Sequence, residues 1–396
     1  MGKDFRVIYS INAPLGGVGI GTTAYYEVKN TDKEGLIEEI YCSGLQVGDL
    51  KSKIVSFKSL SYASLICRGI QKKIFPNFMA DNLVSELFDI LVSKRIKKAD
   101  IFHGWNGFSL RSAKSAKKNG SLVFIEQASS HPANQRKILL EEYEKYGEDK
   151  SMLPSEESIR KSRELFDLAD YVLIPSDFVK DSFIREGFPS EKLIQIPFGV
   201  DVEKYAPSDK RDKTFRVIFV GSVQLRKGIQ YLLQAWEELS LKNAELVIVG
   251  RVWPDARNAV AKYRGNKSIK FIGFEKDPKK YYSISNVSVF PSLEEGSALV
   301  SYEAMASGLP LIATYNTGSV MKDKKDGFII PIRDVKALKE KIKYFYDHPE
   351  KAGAMGKSAR KRVEKFTWEN YGKDITRAYE SALTKKKKSH NGKQKS

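Results

Sequence analysis

The chain has 396 residues, 41% of them hydrophobic and 11% aromatic, which is enough apolar material for two or three globular domains and excludes a disordered or fibrous protein. Two cysteines, Cys42 and Cys67, exclude a disulfide scaffold and fit a reducing compartment. The formal net charge is +18; less the six lysines of the last twelve residues it is still +12, so anionic partners are expected, whether a phosphorylated substrate, an anionic membrane surface or nucleic acid.

The opening "MGKDFRVIYSI" sets charges on both sides of a short apolar run, with no secretory core after it, and Arg6 breaks the myristoylation pattern. No apolar stretch of about 18 uncharged residues follows, so no membrane-spanning helix is expected and the protein reads as cytoplasmic. The first strand, 5–11, runs into "NAPLGGVGIGT". There Gly16, Gly17, Gly19 and Gly21 would let backbone N–H groups approach an oxyanion of a phosphate or an acceptor. "GIGTTA" satisfies a dinucleotide fingerprint, but the tip of the second strand, "YCSG", offers no acid for a ribose, so NAD is not expected.

Further buried parallel strands are predicted at 37–43, 53–57, 99–104, 121–126 and 171–176, with helical stretches between them such as 109–120, closed by Gly120. Residues 67–88 interleave Arg68, Lys72 and Lys73 with Ile70, Ile74, Phe75, Phe78 and Met79. That pattern suits a membrane interface, and equally a core helix with a solvated basic face. A linker rich in Pro, Gly and charge, 196–214, precedes a second strand series at 215–221, 244–250, 268–273, 287–292, 310–314 and 327–331. Strand–helix alternation in two series predicts two α/β Rossmann-like domains facing across a cleft, with ligands at the carboxyl ends of the strands.

After strand 215–221 comes "GSVQLRKGIQYLLQAW". Arg226 and Lys227 stand before a helix whose positive N-terminus disfavours cations, unless all three share an anion such as a diphosphate. After strand 287–292 comes "LEEGSALVSYEAMASGLP". Gly296, Ser297, Ala298 and Leu299 would present helix N-terminal N–H groups to a phosphate or sugar oxygen. Glu295 in the same loop could grip a sugar hydroxyl. Glu303 lies beside the apolar face of the helix, where a carboxylate needs partners, and ribose hydroxyls would supply them. "FTWENYGKDITRAYESAL" reads as a closing helix, and the lysine tail 385–396 as disordered.

These segments together resemble the retaining GT-B glycosyltransferases of family 4, the "group 1" glycosyltransferases, over almost the whole chain. "PSLEEGSALVSYEAMASGLPLI" is similar to the family's E-x7-E segment, with Glu295 and Glu303 as the pair. "IPFGVDVEKYAP" is similar to its domain linker, and "FVGSVQLRKGIQYLLQAW" to its "VGRL…KG…LL-A". The resemblance implies that Glu303 holds the donor ribose, Lys227 the diphosphate and Glu295 the transferred sugar. It also implies that the closing helix crosses back to the first domain. Three departures stand out. Ser222 replaces a family arginine, for which Arg226 could substitute; "EGSAL" replaces "EGFGL"; and Glu126 and Gln127 stand where many members have a histidine. His131 is the candidate for that catalytic role, with His103 the runner-up.

The expected division is 1–200 for an acceptor-binding domain, 201–366 for a nucleotide-sugar domain, 367–384 for the crossover helix and 385–396 for the tail. The expected activity is hexosyl transfer from a nucleotide-diphosphate sugar, UDP- or GDP-linked, to a glycan or lipid-linked acceptor. No cofactor and no metal are expected: no D-x-D motif is present, and Arg226, Lys227 and helix N-termini could neutralise the leaving diphosphate in place of a divalent ion. Peripheral attachment to an anionic membrane is a further expectation. The rival readings are a basic nucleic-acid-binding protein, for which no nucleic-acid-reading motif is present, and an epimerase or phosphorylase of the same shape.

Overall fold

The structure is a computed structural model that describes residues 5–58, 80–208 and 212–393. Seven strands form the first sheet: β1 Val7–Leu15, β2 Ile37–Leu45, β3 Lys53–Ser56, β4 Ile101–Trp105, β5 Leu122–Glu126, β6 Tyr171–Ile174 and β7 Leu193–Gln195, in the order β3-β2-β1-β4-β5-β6-β7. Six form the second: β8 Phe215–Val220, β9 Ala244–Val249, β10 Ile269–Gly273, β11 Val287–Phe290, β12 Leu311–Thr314 and β13 Gly327–Ile330, in the order β10-β9-β8-β11-β12-β13. Every ladder between them is parallel.

The central strands are buried on both faces, which is why they read as unbroken Val, Ile, Leu and Phe runs. All twelve predicted strands are present. Only β7 escaped, because "LIQ" is short and partly exposed and carries no hydrophobic run. In each sheet the strand order reverses beside the first strand, at β1/β4 and at β8/β11. Ligands of such sheets bind outside the carboxyl ends of the strands at that switch point.

The chain passes between the domains twice, and the two passages touch. Val200 N donates to Phe366 O at 2.9 Å, and a Cβ on Gly199 would collide with the backbone of Trp368. The crossing helix Trp368–Lys393 then returns to the first domain, as expected. It lies on the helix Ile20–Lys33, with Tyr26 and Trp368 stacked at 4.4 Å and Thr31 and Thr376 hydroxyls 3.0 Å apart. Gly372 permits the approach, since a Cβ there would meet Asn30 Cβ at 2.8 Å. The helix continues through Lys393, into the segment expected as a disordered tail. Lysine is a good helix former, and extending a helix that packing has already nucleated is easy.

The helix Pro132–Tyr146 behaves as a strap. It belongs to the first half of the chain, yet Leu139 and Tyr143 join the core of the second domain. Its Glu142, fully buried, accepts from Gln230 Nε2 (2.7 Å), Tyr231 OH (2.8 Å) and Arg333 Nε (2.9 Å). Most of the segment 67–88 lies outside the described residues; its end falls in the helix Ala80–Ser93, which buries Phe88 and exposes Leu83 and Leu87. No helix among the described residues is long and apolar enough to cross a membrane.

Candidate active site

Two loops from adjacent strands of the second sheet build the site. After β8 the chain makes a 3-10 turn, Leu225–Lys227, and enters the helix Ile229–Leu239 through Gly228 at φ +70°, where a Cβ would collide with Pro291 O. After β11 it runs through residues 291–298 into the helix Leu299–Ala306. The loops are sewn together at Arg226 O, which accepts from Leu293 N (2.9 Å) and Ser292 Oγ (3.1 Å).

That stitching brings two cations against two carboxylates. Lys227 Nζ contacts Glu295 Oε1, Arg226 NH1 lies 3.1 Å from Glu294 Oε2, and Arg226 NH2 lies 3.8 Å from Glu295 Oε1. Lys227, Glu294 and Glu295 are all buried. Burial, then the neighbouring Arg226 charge, pushes the Lys227 ammonium well below its usual pKa, and Glu294 opposes the shift.

Glu294 went unassigned in the sequence. Fully buried, it accepts from Ser130 N (3.0 Å), Ser130 Oγ (2.9 Å) and Gln135 Nε2 (3.0 Å) of the first domain as well as from Arg226. Its only signal in the sequence was the doubled Glu-Glu. Nearby, Ser176 Oγ donates to Gly296 O at 2.5 Å, and a Cβ on Gly296 would collide with Ala128 O. The first domain therefore closes directly onto the loop after β11, and the glycine at 296 permits it.

Among the described residues, Glu303 makes no ion pair with a lysine or arginine; its partners are hydroxyls. Its Oε2 accepts from Tyr282 OH at 3.1 Å, and Tyr205 supplies a second hydroxyl. Burial raises its pKa to about 7, against the lowering effect of both tyrosines and of Lys204. Tyr205 and Tyr282, whose rings meet edge to face at 6.0 Å, were not anticipated. Of the four helix N-terminal N–H groups expected to be free, that of Ala298 is already used by Thr317 O (3.1 Å). The Ser297 hydroxyl is likewise tied to Tyr302 OH (2.8 Å) and Gly318 O (2.7 Å). Gly296 and Leu299 flank them, Leu299 opening the helix.

The glycine loop is only partly what its composition suggested. Gly16 N donates to Gly21 O and Gly17 N to Pro14 O, both at 2.9 Å, so those two N–H groups are spent within the loop. Gly19, at φ +73° before the helix Ile20–Lys33, has open space where a Cβ would be. Ile20 reaches a cleft cavity of about 470 Å3 that Trp105, Phe108, Glu126, Gln135 and Arg226 also line.

His131, the candidate catalytic histidine, stands at the start of the strap helix. Its Nδ1 accepts from Ala133 N at 3.3 Å, capping the strap helix, and its ring packs on Phe183 and Phe166 at 5.1 and 5.7 Å. Burial lowers its pKa to about 4, so it is a neutral structural cap away from the lining of the cavity. The runner-up, His103, is fully buried, with its Nδ1 2.5 Å from Tyr379 OH, and burial lowers its pKa to about 3. Glu126 lines the cavity instead, at the end of β5.

Residues 202–362 match the family described as glycosyl transferases group 1. The chain is 30% identical over 223 residues to the capsular polysaccharide biosynthesis glycosyltransferase CapM of Staphylococcus aureus, across 53% of this chain and 59% of that one. It is 25% identical over 252 residues to the D-inositol 3-phosphate glycosyltransferase of Corynebacterium urealyticum, across 56% and 59%. It thus spans 59% of the length of each of these curated relatives. Among solved structures, HepE of Anabaena in complex with UDP and glucose superposes with a TM-score of 0.68 at 13% identity, over 96% of this chain and 100% of that one. Sucrose-phosphate synthase of Thermosynechococcus elongatus gives 0.66 at 18%, over 96% and 99%. At these identities the likeness is one of fold: two Rossmann-like domains in the GT-B arrangement.

Proposed function

From the premise that residues 202–362 match the group 1 glycosyl transferases and the chain has a GT-B fold, we propose that this protein transfers a sugar from a nucleotide-diphosphate sugar to an acceptor held by the first domain. The observation that carries the reading is the cluster of buried Lys227 and partly exposed Arg226 against the buried Glu294 and Glu295, at the carboxyl ends of β8 and β11. The donor diphosphate takes the place of the Glu295 carboxylate on Lys227. Glu295, released, accepts from hydroxyls of the transferred sugar. Glu303 accepts from the ribose hydroxyls, alongside Tyr282 and Tyr205.

Transfer proceeds with retention. The bond from the anomeric carbon to the phosphate oxygen breaks, an acceptor oxygen bonds to the same face, and its proton passes to the departing diphosphate. Arg226 and Lys227 stabilise the charge that develops on that diphosphate, the office a divalent ion serves in other transferases. The cavity of about 470 Å3 has the size of a small-molecule site, and its lining of aromatic and amide side chains suits a polyhydroxylated acceptor. A glycan or lipid-linked acceptor fits that lining, and the UDP bound in HepE supports a UDP-linked donor, with GDP the other base to test.

The test is a panel of UDP- and GDP-sugars, with an excess of chelator, scored by release of free nucleoside diphosphate. Turnover of at least one donor in chelator is expected. Release from none, or release only when manganese or magnesium is restored, contradicts the reading.

A further inference from the structure

The first domain buries a second group of ionisable side chains that donor chemistry does not use. Glu27 on the helix Ile20–Lys33, His103 on β4 and Glu126 at the end of β5 bring one ligand atom each to within 4.8 Å of one another. None is more than 2% exposed. His103 Nε2 faces Glu126 Oε2 across 3.9 Å, and neither atom has a hydrogen-bond partner. Buried polar atoms are nearly always paired, and 3.9 Å is too long for a direct hydrogen bond. Two metal–ligand bonds of about 2.1 Å each span up to about 4.2 Å, so a cation bridges that gap where a proton does not.

We propose that Glu27, His103 and Glu126 form a structural site for one divalent first-row cation. Two carboxylates and an imidazole nitrogen neutralise and ligate such an ion, and this donor set suits zinc or manganese rather than a thiolate-seeking metal. The surrounding hydroxyls have the arrangement of an outer shell that orients ligands. Tyr379 OH meets Nδ1 of His103, Tyr371 OH donates to Glu27 Oε1 at 2.7 Å, and Tyr9 OH donates to Glu27 Oε2 while accepting from Trp105 Nε1 at 2.7 Å. Glu126 and Trp105 also line the cleft cavity, which gives the ion a way in. Tyr371 and Tyr379 both lie on the crossing helix, so the ion would fasten that helix to β4, β5 and the helix Ile20–Lys33. The site does not include Arg226 or Lys227, so metal content tests this inference while nucleotide affinity of the Lys227 and Glu303 variants tests the donor reading, and the two outcomes are distinguishable.

The test uses the full chain without an affinity tag. It is incubated with zinc, or in parallel with cobalt, then stripped of loose metal by gel filtration, and its metal content is measured by mass spectrometry. One zinc per chain is expected, with a visible cobalt spectrum showing a nitrogen ligand, and loss of both in the isosteric variants Glu126→Gln and Glu27→Gln. A wild-type chain that retains no stoichiometric zinc overturns the proposal, leaving the two carboxyls to share a proton. So does a Glu126→Gln variant that holds as much metal as the wild type. The wild-type stoichiometry and cobalt spectrum decide the matter even where a variant does not fold.

Discussion

Under the proposed function, pH acts on donor binding through Glu303. Its carboxyl, raised from 4.5 to about 7 by burial, is largely protonated at pH 6 and largely ionised at pH 8. Because the folded pKa lies above the unfolded one, the free protein loses stability as pH rises from 4.5 through 7, and ribose hydroxyls that donate to the carboxylate recover that loss. Nucleotide-sugar affinity is therefore expected to rise between pH 6 and 8 as Glu303 ionises. Titration calorimetry with a nucleotide sugar across that range is the measurement, and Glu303→Gln is expected to abolish the rising limb. The same rising limb in the variant would remove Glu303 from the ribose site. Tyr282 and Tyr205 show why this residue was only half legible. The isolation of Glu303 beside an apolar face was visible in the sequence, but the two hydroxyls that hold it come from positions 21 and 98 residues away. His131 illustrates the opposite case. A histidine just before a proline and a helical run is also a helix cap, and local spacing does not tell a cap from a catalytic group.

At the scale of elements, strands and the two loops were readable because each carries a local signal: an apolar run ending in glycine, or a basic pair before a helix. The strap helix was not. Leu139 and Tyr143 show helical spacing, but which core they enter is a tertiary fact, and they enter that of the other domain. Glu294 shares this character, since three of its four donors come from the first domain. Glu294→Ala would leave the buried Ser130 N–H and hydroxyl without their acceptor, while the partly exposed Arg226 and Gln135 turn to the cleft. A buried donor left unpaired costs roughly 1–3 kcal/mol. Urea unfolding is expected to show a loss of that order, with a smaller loss for Glu294→Gln. A Glu294→Ala protein within about 0.5 kcal/mol of wild type would show that the contact contributes nothing to closure.

The whole molecule is two sheets joined by two adjacent passages, at Val200 and at Phe366–Thr367, with the strap helix and the crossing helix each reaching over to the opposite domain. Its excess of positive charge is not consumed by the donor site. The crossing helix ends in a run of lysines, and each lysine near an anionic surface contributes about 1 kcal/mol, screened beyond a Debye length. We therefore expect the full chain to co-sediment with anionic but not neutral vesicles at low salt, and a chain ending at Leu383 to do so less. Equal and negligible binding to both kinds of vesicle would point to an acceptor free in solution.

The central claim is that the second domain holds a nucleotide diphosphate between Lys227 and Glu303. Calorimetric affinity for UDP and GDP, measured at one pH and salt for wild type, Lys227→Ala and Glu303→Ala, tests it most directly. Each substitution is expected to weaken binding of the preferred nucleotide by roughly 2–3 kcal/mol, the scale of a charge-assisted hydrogen bond lost from a buried site. Affinity unchanged in both variants would contradict the claim.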